Sequence, residues 1–291
     1  MRAALIAHRP SPTSLALAAG TWNGTPIDVL SPRDALLRLE PGDVALVRLD
    51  VCEDLGGIED GLSAVERLAD RGVTVLNPPP ALLRAHDKVL TARTLRRAGL
   101  PHPQTRLIEH HREPPALDFP VVVKPRFGSW GREVTLCRDR VEFQQTLERL
   151  AFQSWFRATG AIAQELIPPL GHDLRLIVAG GAVVGAGRRT AAPGEWRTNV
   201  ALGATVTHAV PPPVALALAS AAGEASGLDL VGVDLLPTGP GGFSVVELNG
   251  AVDFRPAYAP PGRDIYADAI VALSGCRRPS LAPTSAATAI G

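Results

Sequence analysis

Two apolar segments near the C-terminal end of the chain each end in side chains that carry oxygen. Asp234 lies late in VGVDLL, and Glu247 and Asn249 close VVELN. Alternate residues of a strand point to the same face, so Glu247 and Asn249 share one. The sequence TGPGG between the segments predicts a tight turn that joins them as a hairpin. Three oxygen donors gathered in this way suit Mg²⁺. The alternative is three polar residues on the outer face of a hairpin.

A lysine at the end of another apolar segment indicates a phosphate site. Lys124 follows FPVVV and precedes the glycine-rich sequence FGSWGREV, whose backbone N–H groups could surround phosphate oxygens. Lys88 is the other lysine of a chain that otherwise uses arginine, which favours a compact ammonium at both positions. The glycine-rich sequence matches neither the P-loop nor the dinucleotide-binding fingerprint. The alternative for Lys124 is a lysine that extends from a strand end to solvent.

The segment RRTAAPGEWRTN carries three arginines around a flexible middle. It begins at Arg188 and ends with Arg197, Thr198 and Asn199. Arginine suits a phosphoryl group in transfer, because negative charge spreads over the phosphate oxygens. The segment is therefore a candidate for the reaction centre, and the alternative is a solvated loop.

The order of predicted elements indicates a mixed α/β (α+β) fold with more than one lobe. Apolar segments at 3–7, 44–49 and 73–77 alternate with helix-like stretches, which predicts a small N-terminal α/β lobe with a parallel sheet. Pro78, Pro79 and Pro80 break this pattern and mark a domain boundary. Further predictions are helices over 81–98, 141–156, 213–226 and 264–273, strands over FPVVVKP, VTLC and AIAQELI, a hairpin turning at Gly180 and Gly181, and a disordered tail over 279–291.

Composition excludes several classes of function. The formal net charge is +0, which argues against bulk electrostatic binding to nucleic acid or to an anionic membrane. No stretch reaches the ~20 apolar residues that span a bilayer, and the first apolar run is too short for a signal peptide. The three cysteines stand far apart without a CxxC motif, which favours reduced thiols in the cytoplasm and disfavours a zinc site.

The order of these segments resembles the RimK-like ligases of the ATP-grasp superfamily, with the closest likeness to the LysX type. The matching segments are NPPPALLRAHDKVLTARTLRRAGLPHPQT, VVVKPRFGSWGREV, AQELIPP, HDLRLIVAGGAVVGAGRR, EWRTNVALGA, GVDLLP and VVELN, with ELNGAVDFR pointing to the LysX type. The resemblance implies an N-terminal pre-ATP-grasp lobe over 1–80 and an ATP-grasp domain over 81–278. Within that domain, a central lid lobe covers about 103–168 and the remainder is a C-terminal lobe.

The resemblance also implies roles for individual residues. Nucleotide contacts would come from Lys88, Lys124, Ser129, Gly131, the adenine hinge Gln164, Glu165 and Leu166, the ribose ligand Asp173, and the phosphate-side residues Arg197, Thr198 and Asn199. Asp234, Glu247 and Asn249 would hold one or two Mg²⁺ ions, with Mn²⁺ as the alternative. Arg188, Arg197, Asn199 and Arg255 would serve the reaction centre, where Arg188 and Arg255 are candidates for the acyl-phosphate or the substrate carboxylate.

The activity implied is ATP-dependent amide formation through an acyl-phosphate. A LysX-type enzyme joins an amino acid to the C-terminal glutamate of a small acidic carrier protein in amino-acid biosynthesis, and a homodimer or homotetramer is expected. Two alternatives stay open: a glutamate ligase that acts on a protein tail or a cofactor, and an ATP-binding domain without ligase activity. Gly250, Ala251 and Val252 replace a polar motif of the LysX type, so the amino acid stays open as well.

Overall fold

The computed structural model describes residues 1–275, and its N-terminal part contains the predicted parallel sheet. The strand order is β2-β3-β1-β4-β5, in which β2 is antiparallel to β3 at the edge and the other strands are parallel. The elements are β1 (Ala3–Ile6), α1 (Pro12–Ala18), β2 (Thr21–Trp22), β3 (Thr25–Leu30), α2 (Pro32–Arg38), β4 (Val44–Val47), α3 (Leu62–Asp70) and β5 (Thr74–Leu76).

The helix-like interpretation of the stretch between β1 and β4 is wrong over residues 21–30. Strands β2 and β3 form a hairpin there, with Thr21 opposite Pro26. The turn residues Asn23 and Gly24 have φ of 49° and 82°. Both values lie in the left-handed region that a two-residue hairpin turn requires, and Asn-Gly is the sequence that favours it.

The proline run begins a helix, and the predicted helix over 81–98 is two helices. Helix α4 (Pro79–His86) starts with Pro79. Proline is tolerated there because the N–H groups of the first helical turn form no hydrogen bonds within the helix. Helix α5 (Lys88–Arg97) follows after Asp87, which has extended backbone angles. The Asp87 carboxylate accepts hydrogen bonds from the N–H groups of Val89 at 2.9 Å and Leu90 at 3.4 Å, so this residue caps a new helix.

A second sheet is antiparallel and has the order β6-β9-β7-β8. It contains β6 (Thr105–Ile108), β7 (Val121–Pro125), β8 (Thr135–Cys137) and β9 (Ala161–Glu165), and the predicted strand–loop–strand arrangement around FGSWGREV is present. The predicted helix over 141–156 is divided into α6 (Arg140–Leu150) and α7 (Ser154–Thr159). After the intervening turn, Trp155 and Phe156 are both buried in the core beneath this sheet.

The third sheet carries both predicted hairpins. It is antiparallel with the order β12-β11-β10-β13-β14, and its strands are β10 (His172–Ala179), β11 (Ala182–Thr190), β12 (Thr205–His208), β13 (Leu230–Gly239) and β14 (Gly242–Asn249). Helix α8 (Pro213–Ser226) covers one face, and α9 (Ile265–Ser274) covers the other. Asp234 lies directly opposite Glu247 in the β13–β14 register.

Some sequence predictions lie beyond the part of the chain that the structure describes. The tail over 279–291 and Cys276 lie outside residues 1–275, whereas Cys52 and Cys137 are free thiols. Over that same range, every helix is too short or too polar to cross a membrane.

Candidate nucleotide and ligation site

A cleft between the second and third sheets gathers most of the predicted nucleotide-binding residues. Its volume is about 970 Å³, including space open to solvent, which suits a ligand of nucleotide size. The predicted residues that line this nucleotide cleft are Lys88, Lys124, Ser129, Gly131, Gln164, Glu165, Leu166, Asp173, Arg197, Thr198, Asn199, Asp234 and Glu247.

A second cavity adjoins the nucleotide cleft and has a volume of about 1260 Å³, again including open space. Asn249 and Arg255 line this second cavity. Glu247, Asn199 and Arg189 line both, so the two spaces meet at these side chains. The arrangement places the predicted metal ligands where a nucleotide in one cavity would face a substrate in the other.

A buried network of ion pairs surrounds Asp234. Both of its carboxylate oxygens accept hydrogen bonds from Arg175, at 2.7 Å each, and Oδ2 also accepts one from Arg189 at 2.9 Å. Arg189 donates to both oxygens of Asp173, with Nε 2.7 Å from Oδ1. Burial alone would raise the pKa of Asp234, but the two arginines outweigh it and hold that pKa well below its usual range. Asp234 is therefore ionised at neutral pH.

The two lysines of the chain lie together at Glu247. Lys88 Nζ is 2.7 Å from Glu247 Oε1 and donates to the carbonyl of Gly128 at 2.6 Å. Burial, reinforced by the charge of Lys88, lowers the pKa of Lys124 to about 8 although Glu247 opposes the shift. Burial would raise the pKa of Glu247, but the two lysines lower it. At pH 7 the group thus retains positive charge that can face phosphate.

The glycine loop, residues 128–131, lies over the junction of the two cavities. Arg197 Nη1 donates to the carbonyl of Gly131 at 3.2 Å, and Lys88 holds the other end of the loop. Gly131 has φ of 72°, and a Cβ there would lie 2.8 Å from Asn199 Oδ1, so glycine is favoured at this position. Trp130 lines both cavities and is 57% exposed. The loop is thus placed to cover the reaction centre.

Glu195 supports the site through its ion pair with Arg197, and the sequence interpretation missed it. Its carboxylate accepts hydrogen bonds from Arg197 Nε at 3.0 Å and Nη2 at 2.8 Å. It also accepts from the backbone N–H groups of Trp196 and Arg197. The Arg197 side chain is the main reason that the pKa of Glu195 falls to about 2. The sequence did contain a signal for this role. Glu195 lies two residues before Arg197, and a carboxylate so close to an arginine can orient its guanidinium.

The hinge side of the cleft has two polar residues, Gln164 and Glu165, followed by the apolar Leu166. Gln164 is buried, and its amide donates to Thr105 Oγ1 at 2.9 Å. Glu165 accepts from the N–H of Gln104 at 3.1 Å. The N–H of Leu166 donates to the carbonyl of Pro120 at 3.3 Å, close to the distance limit of a hydrogen bond.

The structure does not bring Arg188 to the reaction centre, and Arg189 takes that place. Arg188 is exposed and lines neither cavity, whereas Arg189 is 3% exposed. A regular hairpin turning at Gly180 and Gly181 would pair Asp173 with Arg188. A β-bulge next to Val178 shifts the register by one, so that Asp173 lies opposite Arg189. Predicting the reaction-centre arginine therefore required the position of the bulge.

The residues predicted to hold Mg²⁺ have the chemistry that this ion requires. Asp234 and Glu247 are cross-strand neighbours, and Asn249 follows Glu247 on the same face of β14. The predicted donors are therefore two carboxylates and one amide. This agrees with the absence, over residues 1–275, of any cluster of three His, Cys, Asp or Glu side chains that could hold a metal ion. The buried Nδ2 of Asn249 has no hydrogen-bond partner, so this donor is available to a phosphate or substrate oxygen, whereas Oδ1 of the same amide is the atom that would bind a cation. Mg²⁺ keeps water and phosphate ligands, so few protein donors suffice.

Two antiparallel sheets that enclose a nucleotide-sized cleft, with lysines on one side and acidic strand ends on the other, define an ATP-grasp enzyme. A family model described as the RimK-like ATP-grasp domain matches residues 85–272. The chain belongs to the RimK-like ATP-grasp family and is an ATP-dependent ligase that forms carbon–nitrogen bonds, which confirms the predicted family and class of enzyme.

Individual relatives support the same family. The chain is 33% identical to the glutamate–LysW ligase ArgX of Sulfurisphaera tokodaii over 193 residues, which cover 63% of this chain and 67% of the relative. It is 30% identical to the probable alpha-L-glutamate ligase 1 of Shewanella amazonensis over 218 residues, covering 73% and 71% of the two chains. The crystal structure of a RimK domain ATP-grasp protein from Sphaerobacter thermophilus has a TM-score of 0.64 at 24% identity, covering 94% of this chain and 98% of the other.

Proposed function

We propose that the chain joins the amino group of L-glutamate to the C-terminal glutamate of a small acidic carrier protein. The observation that carries this proposal is the meeting of the two cavities at Glu247, Arg189 and Asn199. A cleft lined by cations beside a second open space supports a nucleotide in the first and a separate substrate in the second. L-Glutamate is the first amine to test because both relatives described above have glutamate in their names. The carrier protein follows from the LysX-type resemblance.

The reaction has two steps. An oxygen of the acceptor carboxylate attacks the γ-phosphorus of ATP, the bond from that phosphorus to the leaving oxygen of ADP breaks, and an acyl-phosphate forms. The amine nitrogen then attacks the acyl carbon, the carbon–oxygen bond to phosphate breaks, and the amine loses a proton. The products are the amide, ADP and phosphate. Activation is required because a carboxylate oxygen is a poor leaving group.

The residues of the cleft address the two obstacles to this chemistry. The first obstacle is repulsion between a carboxylate and the triphosphate, and Lys88, Lys124 and Arg197 supply the positive charge that offsets it. The second is hydrolysis of the acyl-phosphate by water. The glycine loop, with Trp130 over both cavities, would exclude water from the reaction centre.

Asp234, Glu247 and Asn249 would hold the predicted Mg²⁺. When bound, this ion supplies positive charge to phosphate oxygens that protein side chains alone do not neutralise. Arg175 and Arg189 keep Asp234 ionised, and Lys88 and Lys124 do the same for Glu247, so both carboxylates carry the negative charge that a bound cation would require.

The test is release of ADP by the purified chain with MgATP, L-glutamate and a peptide that copies the acidic carrier C-terminus and ends in glutamate. We expect ADP release that needs both substrates, and mass spectrometry should show the peptide with one added glutamyl residue. ADP release at the same rate without either substrate would refute the proposal. Nucleotide binding without any ADP release would instead identify an ATP-binding domain without ligase activity.

The same assay separates the alternative acceptors. Replacing the carrier peptide with another protein tail or with a small pterin carboxylate tests whether glutamate is added to a different carboxylate. Omission of Mg²⁺, and its replacement by Mn²⁺, tests the metal. Light scattering during size-exclusion chromatography tests the predicted dimer or tetramer.

A further inference from the structure

The second cavity lies at a point where the topology of the N-terminal sheet favours ligand binding. Strand β1 has β3 on one side and β4 on the other, so the chain changes direction between β1 and β4. Ligands of open α/β sheets bind outside the carboxyl ends of strands at such a point. Pro12 and Thr13, which follow β1, and Asp50, which follows β4, line this cavity. The cavity thus joins the N-terminal sheet to the metal-binding hairpin.

Most charged groups of this cavity already have partners. Arg175 and Arg189 are paired with Asp234, and Glu247 is paired with Lys88. Arg175 lines the second cavity, and Arg189 and Glu247 line both cavities. Their charges are compensated within these pairs and leave little charge for a substrate in the second cavity.

One wall of the cavity carries two carboxylates, Asp50 and Asp253, that share one arginine, Arg48, and these three residues are called the acidic group. Arg48 is fully buried behind the cavity and pairs with Asp253 at 3.2 Å. Its charge also acts on Asp50, so one cation serves two carboxylates. Asp50 Oδ1 accepts from the N–H of Val51 at 2.7 Å and lies 3.8 Å from His86 Nδ1. Burial lowers the pKa of His86, so this imidazole adds no charge at pH 7.

An unpaired cation lies in the same cavity. Arg255 is exposed, and within residues 1–275 it forms no ion pair. Its position is set from the N-terminal sheet, because Arg48 donates to the carbonyls of Ala251 at 3.3 Å and Val252 at 2.9 Å. A Cβ at Gly250 would lie 2.8 Å from Leu82 Cδ2, so the segment that leads to Arg255 is closely packed.

Unsatisfied polar atoms are concentrated at this cavity. Among the described residues, three buried side-chain atoms lack a hydrogen-bond partner: Arg48 Nη1, His86 Nε2 and Asn249 Nδ2. His86 and Asn249 line the cavity, and Arg48 of the acidic group lies behind it. Unsatisfied buried groups are few in native proteins, so two in the wall of this cavity and a third behind it indicate a site for a polar ligand.

We propose that Asp50 and Arg255 bind the amino-acid substrate at its two opposite charges, with the ammonium at Asp50 and a carboxylate at Arg255. This inference rests on the ligase function proposed above and names the residues that select an amino acid as the amine. A ligand with one charge of each sign complements a cavity that has one uncompensated carboxylate and one unpaired guanidinium.

The test compares ligands that differ in a single charged group. L-Glutamate has the ammonium, and glutarate has both carboxylates without it. In the ADP-release assay, Asp50→Asn should raise KM for L-glutamate about tenfold and leave KM for ATP and the inhibition constant of glutarate unchanged. Arg255→Gln should weaken both L-glutamate and glutarate. Asp70→Asn and Arg67→Gln, exposed residues of α3 away from both cavities, are the matched controls and should match the wild type.

Equal weakening of L-glutamate and glutarate by Asp50→Asn would overturn the inference, as would a KM for L-glutamate within twofold of the wild type. Calorimetry with Mg²⁺ and a non-hydrolysable ATP analogue separates this result from failure of the proposed function. If L-glutamate binds the wild type, binds Asp50→Asn about tenfold more weakly, and no ADP is released, then the ligase function fails and the binding site stands. No binding of L-glutamate to the wild type overturns the site.

Discussion

Replacing Arg189 and Arg188 separately with methionine tests the buried ion-pair network with a control one residue away. Methionine keeps the unbranched stem of arginine and removes the guanidinium. In Arg189→Met, Asp234 keeps both hydrogen bonds from Arg175 at 2.7 Å, whereas Asp173 loses the guanidinium that binds both of its oxygens. One buried carboxylate is then left without a cation.

The expected loss in the free energy of unfolding follows from this single unpaired carboxylate. Removing one partner of a buried ion pair costs about 3–5 kcal/mol, and the intact Arg175 pair places the cost at the lower end, about 3 kcal/mol. For a chain of this size, a change of that amount lowers Tm by roughly 6–12 °C. Arg188→Met removes an exposed side chain and should change the free energy of unfolding by less than about 0.5 kcal/mol.

The assay is urea denaturation followed by circular dichroism, with thermal melts in parallel, and ADP release measured on each variant. Arg189→Met should lose activity as well as stability, because Asp173 and Asp234 both line the nucleotide cleft. If the two variants differ by less than about 1 kcal/mol, or if Arg188→Met is the less stable one, the assigned register of β10 and β11 is wrong.

Three further substitutions test other parts of the site. Glu247→Gln should lower amine-dependent ADP release at least about 100-fold without loss of folding, because it removes charge at the junction of the cavities; retained turnover would contradict this. Glu195→Gln should lower kcat roughly tenfold by freeing Arg197, with the free energy of unfolding within about 1 kcal/mol of the wild type; a kcat equal to wild type would show that Arg197 needs no such partner. Burial lowers the pKa of His102 to about 4 from 6.5, so the folded state disfavours its protonation. Stability should therefore fall from pH 6.5 to pH 4 by about 3 kcal/mol, and His102→Gln, followed by urea denaturation across that range, should remove this part of the loss.

The hairpin of β13 and β14 shows what sequence patterns specify well. TGPGG specifies the turn, and counting back along a regular hairpin from Gly239 and Gly242 pairs Asp234 with Glu247, as observed. The structure reaches this register through two irregularities that cancel, between Asp234 and Leu235 and between Pro237 and Gly239. The partners of Asp234 could not be predicted in the same way. Arg175 depends on the pairing of β10 with β13, two strands that are far apart in the sequence. Arg189 depends on the bulge next to Val178, and nothing in the sequence Val-Ala-Gly-Gly-Ala-Val-Val indicates where an extra residue is accommodated.

Errors in the helices have local causes. Residues 81–98 have strong helical character, and Asp87 is one of several polar residues within them. Its carboxylate caps the following helix and also binds Arg126, at 2.9 Å from Nε, so tertiary structure stabilises the break. Glu195 escapes a search for groups that would touch the nucleotide, because its role is to orient Arg197.

The two adjacent arginines of β11 have a consequence for how the site responds to a change in strand register. Because two arginines are adjacent, loss of the bulge with every residue retained would bring Arg188 opposite Asp173 in place of Arg189. The cleft would keep a guanidinium opposite Asp173, supplied by Arg188 instead of Arg189. A one-residue change in the register of β10 and β11 would therefore still leave an arginine opposite Asp173, because Arg188 and Arg189 are adjacent.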